Sequence, residues 1–158
     1  MERPNFRGQL KLLILKMLEE KPMHGYGIMA ELERRYGIPH PSPGTVYPIL
    51  ASLRRAGLIE TVGSGKREKK LYRTTEKGRK FLQEHEEELQ NVLSLAEKFV
   101  EFRKIGGFEL ARTLKEAFDS IDELSEEQKK ALAGEFMEFM KRVWLILLGE
   151  TKGQEKSS

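Results

Sequence analysis

The sequence contains no cysteine, so disulfide bridges and thiolate metal sites are excluded. Its three histidines, His24, His40 and His85, lack the spacing of metal ligands. No Gly-rich phosphate loop or nucleophile elbow is present. The aliphatic runs at 12–15 and 143–148 are far shorter than the roughly 20 residues that span a bilayer, and no secretory signal pattern opens the chain. We therefore expect a cytoplasmic protein with no cofactor, no metal and no membrane span.

Charge of the two signs is unevenly distributed along the chain. The whole sequence carries 28 basic and 25 acidic residues, a net charge of +3. Residues 1–80 hold 17 basic and 8 acidic residues, a net charge of +9, whereas residues 81–158 hold 11 and 17, a net charge of −6. A basic half joined to an acidic half predicts that the first half alone meets a polyanion.

The segment from Ser42 to Ile59 is the most clearly marked helix of the sequence. Ser42 suits the N-cap, Pro43 the first helical position and Gly57 the C-terminal stop. Pro48 cannot bond back to residue 44, so the helix must either begin properly near Thr45 or kink there. A buried stripe at i, i+3, i+4 and i+7 is formed by Val46, Ile49, Leu50 and Leu53. The other faces carry hydroxyl, aromatic and guanidinium groups, which fit either nucleic acid or an ordinary solvated surface.

A basic hairpin follows this helix. Residues 58–62 and 71–74 are predicted to be strands, and the loop between them carries four cations, Lys66, Arg67, Lys69 and Lys70. A charged loop alone is more often a solvated turn. Here it follows the marked helix and two earlier predicted helices, 6–20 and 28–36, which a turn over 21–27 joins. Three helices and a basic hairpin predict a winged helix-turn-helix, with the third helix in the major groove and the hairpin in an adjacent groove.

The second half is predicted to be helical. Thr75 can cap a long helix from Glu76 to about Arg103, Gly106-Gly107 breaks it, and Ser125 with Gln128 forms a capping box. The fold class is therefore mainly α with a small β-hairpin wing. The expected domains are a DNA-binding domain over 1–80, a helical dimerisation and effector domain over 81–149, and a disordered tail over 150–158.

Apolar surface in excess of one fold predicts a second subunit. In the first helix, Leu12 and Leu15 lie off the main apolar stripe, which indicates contacts with the second half or with another chain. Trp144, the single tryptophan, favours packing at a dimer interface over stacking on a flat ligand. The residues predicted to dimerise are Leu12, Leu15, Leu89, Val92, Leu93, Ala96, Phe99, Phe136, Met140 and Trp144.

Several segments together resemble the PadR family of transcriptional regulators. They are His24-Gly25-Tyr26, Ser42 with Gly44-Thr45-Val46-Tyr47-Pro48-Ile49-Leu50, Leu53 with Gly57-Leu58-Ile59, and Lys70-Leu71-Tyr72-Arg73-Thr74-Thr75 with Gly78. The resemblance covers roughly residues 6–82. Gly27 departs from the acidic residue that the family often has there, and Thr74 departs from an aliphatic one.

The resemblance implies a homodimer that binds a palindromic operator on double-stranded DNA, usually as a repressor. It also implies a small-molecule effector, often aromatic, bound near the dimer interface. We expect Ser42, Thr45 and Tyr47 to read or brace the major groove, and the four hairpin cations to hold phosphates or the minor groove. Tyr47 could instead pack on the second helix and only support the fold. The full predicted DNA-binding set is Gly25, Tyr26, Ser42, Gly44, Thr45, Tyr47, Lys66, Arg67, Lys69 and Lys70.

Two other function classes compete with this interpretation. A winged helix used only for protein–protein assembly would not need the charge asymmetry or the basic loop. An enzyme would need a reactive constellation, yet the clustered acids Asp119, Asp122 and Glu123 have no His or Ser partner and fit helix-end solvation. We therefore expect a regulator rather than an enzyme.

Overall fold

The computed structural model describes residues 6–39, 41–63 and 70–149. The chain divides into two compact units, Met1–Phe108 and Glu109–Ser158, which we call the first and second units. The helices are α1 (Phe6–Glu20), α2 (Gly25–Tyr36), α3 (Pro43–Arg55), α4 (Glu76–Glu84), α5 (Glu86–Lys104), α6 (Gly107–Asp119) and α7 (Glu126–Leu147), with a 3₁₀ turn at Ile121–Glu123. The strands are β1 (Met23–His24), β2 (Ile59–Val62) and β3 (Leu71–Thr74).

The sheet has three antiparallel strands in the order β1-β3-β2. The β2–β3 hairpin is confirmed, with Ile59 opposite Thr74 and Val62 opposite Leu71. The turn expected over 21–27 is wrong from Met23 onward. Met23 and His24 form a strand because they pair with Tyr72 and Leu71, and residues 25–27 belong to α2, which begins three residues before the expected start at 28. This third strand ties the beginning of α2 to the base of the hairpin.

Helix α1 is the centre of the first unit. It contacts α2, α3, β3, α4 and α5. Its off-stripe residues Leu12 and Leu15 are 2% and 0% exposed, as deeply buried as the main stripe. The surrounding elements of the same unit therefore account for the apolar faces of α1. The contact of Leu12 and Leu15 with a second subunit is not needed to explain their burial and stays a prediction.

The single long helix expected from Glu76 is wrong, because the chain leaves helical geometry at His85. That residue has φ −113° and ψ 26°, and it separates α4 from α5. Its ring stacks on Phe81, with 3.9 Å between the ring centroids, and its Nδ1 lies 2.8 Å from the Phe81 carbonyl oxygen. The bend allows both α4 and α5 to contact α1.

Polar groups at helix ends settle several sequence expectations. Thr75 caps α4, since its hydroxyl accepts a hydrogen bond from the Gly78 amide at 3.1 Å. The Ser125–Gln128 capping box is confirmed at the beginning of α7. Thr74, a departure from the resembled family, is buried, and its hydroxyl donates to the Leu15 carbonyl at 3.0 Å. The hydrogen bond satisfies a hydroxyl that burial would otherwise penalise.

The second unit is a helical pair with little interior. No residue of α7 is buried, and α6 buries only Gly107, which belongs to the first unit. In contrast, α4 and α5 pack on α1 and α2, so the first unit continues to Phe108. The functional division expected at residue 80 stays a prediction, and the tail over 150–158 lies outside the described residues. None of the described helices is long and apolar enough to cross a bilayer.

Candidate nucleic-acid interface

Helices α2 and α3 form the helix-turn-helix. Gly37 ends α2 in the left-handed conformation, with φ 65°, and its amide returns to the Glu33 carbonyl. The predicted stripe of α3 is buried: Val46, Ile49, Leu50 and Leu53 all belong to the core of the first unit. Helix α3 begins at Pro43 and continues through Pro48, which is exposed. The polar residues of α3 are consequently turned outward.

The hydroxyls at the beginning of α3 lie side by side. Ser42 occupies the N-cap position, but its side chain caps no backbone amide. Its Oγ lies 3.0 Å from Oγ1 of Thr45 instead. Ser42 and Gly44 are exposed and Thr45 is half-buried. Two hydroxyls beside an exposed helix start make a surface that can donate to phosphate or to base edges.

Tyr47 packs against α2 and is also partly exposed. A Cβ placed on Gly25 would lie 2.6 Å from the Tyr47 hydroxyl oxygen, so the ring packs against the first residue of α2. Tyr47 nevertheless remains 40% exposed. The packing of Tyr47 on the second helix is therefore confirmed, and its contact with DNA stays a prediction. Tyr26, next to Gly25, is 75% exposed.

The base of the wing is connected to the same surface. Nδ1 of His24 lies 3.2 Å from the carbonyl oxygen of Lys70, whose side chain is exposed. Burial raises the pKa of Tyr72 in β3, and the neighbouring Tyr47 raises it further. The other three cations of the wing, Lys66, Arg67 and Lys69, lie outside the described residues.

Sequence reasoning left Arg54 and Arg55 out of the predicted DNA-binding set. Side chains are described for seven arginines of the first unit. Five of them bind a carboxylate or a carbonyl oxygen: Arg34, Arg35, Arg73, Arg79 and Arg103. Within the described part of the chain, Arg54 and Arg55 bind neither. The sequence spacing could have indicated Arg54, because Tyr47, Ala51 and Arg54 lie at i, i+4 and i+7 on one edge of α3.

The residues predicted to dimerise are divided between the two units. Leu89, Val92 and Ala96 are buried in the core of the first unit, where Leu93 and Phe99 are half-buried. Phe136, Met140 and Trp144 are exposed on α7. The contact of these residues with a second chain stays a prediction.

Comparison with known proteins gives consistent matches. Residues 14–84 match the model of the transcriptional regulator PadR-like family. The transcriptional regulator YqjI of Escherichia coli is 35% identical over 86 residues, which are 54% of this chain and 41% of that protein. The chain thus spans about two fifths of the length of this curated relative.

Solved structures of transcriptional regulators match as well. One from Clostridium thermocellum is 25% identical and has a TM-score of 0.51, with 63% of this chain and 98% of that chain covered. A PadR family regulator from Eggerthella lenta is 33% identical, with 60% of this chain and 84% of that chain covered at a TM-score of 0.47. The segment over 14–84 contains α2, α3 and the whole described sheet.

Proposed function

Because the chain belongs, through residues 14–84, to the PadR-like family of transcriptional regulators, we propose that it binds double-stranded DNA in a sequence-specific manner. The observation that carries the proposal is the exposed side of α3. It presents Thr45, Tyr47 and two arginines that bind no acid within the described residues. Helix α3 enters the major groove, since that groove is wide enough for a helix, and the wing reaches an adjacent groove.

Selection of bound fragments from random double-stranded DNA tests this proposal. A regulator enriches one sequence, and a dimer with two-fold symmetry enriches a palindrome with half-sites about one helical turn apart, or a multiple of that distance. Enrichment of no sequence, together with no binding to random DNA at low salt, would favour the assembly module that lacks specific DNA binding.

We also propose that the protein acts as a homodimeric repressor. The second unit supports the dimer, because α7 presents large apolar side chains that remain exposed. A dimer that occupies an operator overlapping a promoter blocks transcription without any chemistry.

A small-molecule effector fits a groove of the second unit. Leu114, Phe118, Ile121 and Phe136 line a groove of about 310 Å³ between α6 and α7. Its aromatic and aliphatic walls suit an apolar or aromatic ligand. Binding of such a compound that changes operator affinity would support release by an effector, and binding without that change would contradict it.

The wing gives a prediction that is independent of base recognition. Replacing Lys66, Arg67, Lys69 and Lys70 by Ala should weaken binding to specific and random DNA alike, because phosphates carry no sequence information. The slope of log affinity against log salt should flatten by about 0.9 for each phosphate that the variant no longer binds. Binding measured by fluorescence anisotropy at several salt concentrations checks this. An unchanged slope would mean that the wing does not touch phosphate.

A further inference from the structure

One edge of α3 faces α1 rather than the wing. Thr45, Pro48, Ser52 and Arg55 lie at i, i+3, i+7 and i+10, so they share this edge. Lys11 of α1 stands across from them, and the two helices enclose a groove of about 450 Å³. Lys11, Thr45 and Ser52 are half-buried at the groove, and Arg55 is exposed. The groove therefore combines two cations with two hydroxyls, all accessible to solvent.

The positive charge of this groove is not neutralised from within. No described carboxylate pairs with Lys11 or with Arg55. The ammonium of Lys11 lies 5.6 Å from the centre of the Phe81 ring, a contact that leaves its charge in place. In contrast Lys16, also on α1, pairs with Glu19 at 2.8 Å. Unpaired positive charge therefore lies where α1 adjoins α3.

The hairpin strands β2 and β3 lie beyond the other edge of α3. On that edge Tyr47 packs on Gly25, which directly follows β1, and β1 pairs with β3. A helix with its side chains is about 10–12 Å wide, close to the width of about 12 Å of the major groove. A helix in that groove therefore has a phosphate backbone on each side. The wing and Arg54 face one backbone, which leaves the α1–α3 groove facing the other.

We propose that Lys11, Ser52 and Arg55 form a phosphate cradle that binds the DNA backbone on the side of the recognition helix opposite the wing. The guanidinium of Arg55 donates through its planar fork, Lys11 supplies a point charge, and the Ser52 hydroxyl donates one hydrogen bond. These contacts orient α3 in the groove without reading bases. The inference rests on the proposed DNA-binding function.

The test is the salt dependence of binding to a random-sequence duplex of about four helical turns, measured by fluorescence anisotropy with the full chain. The Lys11→Ala/Arg55→Ala variant should lower the log–log slope of one subunit by about 1.8, since each phosphate bound contributes about 0.9. Lys16→Ala is the matched control, because it removes the same charge from α1 at a paired site, and its slope should equal the wild-type slope. Thermal unfolding of each variant shows that the fold is retained.

Combining the Lys11→Ala/Arg55→Ala variant with the wing variant tests whether the two edges of α3 bind different phosphates. If the cradle and the wing hold different phosphates, the slope reductions of the Lys11→Ala/Arg55→Ala and wing variants add. Reductions that do not add would mean shared phosphates and would overturn the assignment to the opposite edge. A wild-type slope in the folded double variant would overturn the cradle while leaving DNA binding intact. Wild-type protein that binds no duplex would overturn the proposed function itself.

Discussion

At the residue scale, Gly25 and Tyr47 form one contact with two consequences. The close approach of the Tyr47 hydroxyl to Gly25 leaves no room for a methyl group, while the exposed part of the ring remains available to DNA. A glycine is needed at position 25 because the Tyr47 ring occupies the space of a Cβ. Backbone conformation is not the reason, because Gly25 is not among the glycines with positive φ. Its substitution is a way to move Tyr47 without deleting it.

We predict that Gly25→Ala displaces the Tyr47 ring and lowers specific DNA binding. Stability should change little, because the displaced atoms are the end of a partly exposed side chain. Tyr47→Ala should weaken specific binding by roughly 1–3 kcal/mol, the scale of one good base contact. Operator and random-sequence duplexes measured side by side check this, since affinity for random DNA should fall much less.

Tyr47→Phe is the control that keeps the ring and removes the hydroxyl. A Phe variant that binds like the wild type would assign the contribution to the ring. The assignment of Tyr47 to the DNA surface is wrong if Tyr47→Ala melts several degrees lower but binds the operator normally once folded. In that case the contact with Gly25 would be its whole role.

At the scale of elements, the beginning of α4 is hydrogen-bonded to the junction between α3 and β2. The Thr75 hydroxyl donates to the Gly57 carbonyl at 2.6 Å, and the Thr75 amide donates to the Leu58 carbonyl at 3.1 Å. A Cβ on Gly78 would clash with that Leu58 oxygen. The two ends of the hairpin, where the chain leaves α3 and where it enters α4, therefore pack against each other.

We predict that Gly78→Ala destabilises the first unit by about 1–3 kcal/mol, the usual cost of overpacking, because the obstructing atom belongs to the backbone and cannot turn away. Gly27→Ala is the matched control within α2, since its Cβ would meet only Met23 Cβ at 3.8 Å, an ordinary contact. That variant should be neutral or slightly more stable. Thermal and urea unfolding followed by circular dichroism measure both, and equal stability of the two variants would contradict the argument.

The elements that sequence could predict are those with local signals. The buried stripe of α3, the paired strands, the Thr75 cap and the Ser125 capping box each follow from spacing or from an end residue. Strand β1 could not be predicted, because two residues become a strand only through pairing with distant β3. The bend at His85 was missed as well, since the apolar period continues through it.

The candidate site divides in the same way. Helical spacing placed Thr45 and Tyr47 on the outer side of α3, as observed. It could not show that Arg54 and Arg55 lack acidic partners, because most charge partners in a folded chain are set by packing. The cradle depends on Lys11 of another helix, so sequence alone carried no signal for it.

At the scale of the whole molecule, the exposed apolar surface of the second unit is expected to be covered by a partner chain. Phe136, Met140, Trp144 and Leu147 lie at i, i+4, i+8 and i+11 on α7, and all four are exposed. Monomeric proteins rarely expose contiguous apolar patches larger than a few hundred Å². Two-fold dimers are the commonest closed assemblies, and in them the same patch faces itself. We therefore expect α7 to pack against its counterpart in a second copy.

We predict that the wild-type protein sediments at about twice 18.3 kDa at micromolar concentration, and that Trp144→Glu shifts it toward the monomer, because the substitution places a charge in the apolar stripe. Tyr26→Glu is the control, since Tyr26 is exposed to a similar degree, at 75% against 63%, but lies in α2 of the first unit. It should leave the mass unchanged. Trp144 is the single tryptophan, so its emission should move to longer wavelength as the dimer dissociates on dilution. A wild-type mass of 18.3 kDa, with emission independent of concentration, would show that the protein does not dimerise and that α7 is not a dimer surface.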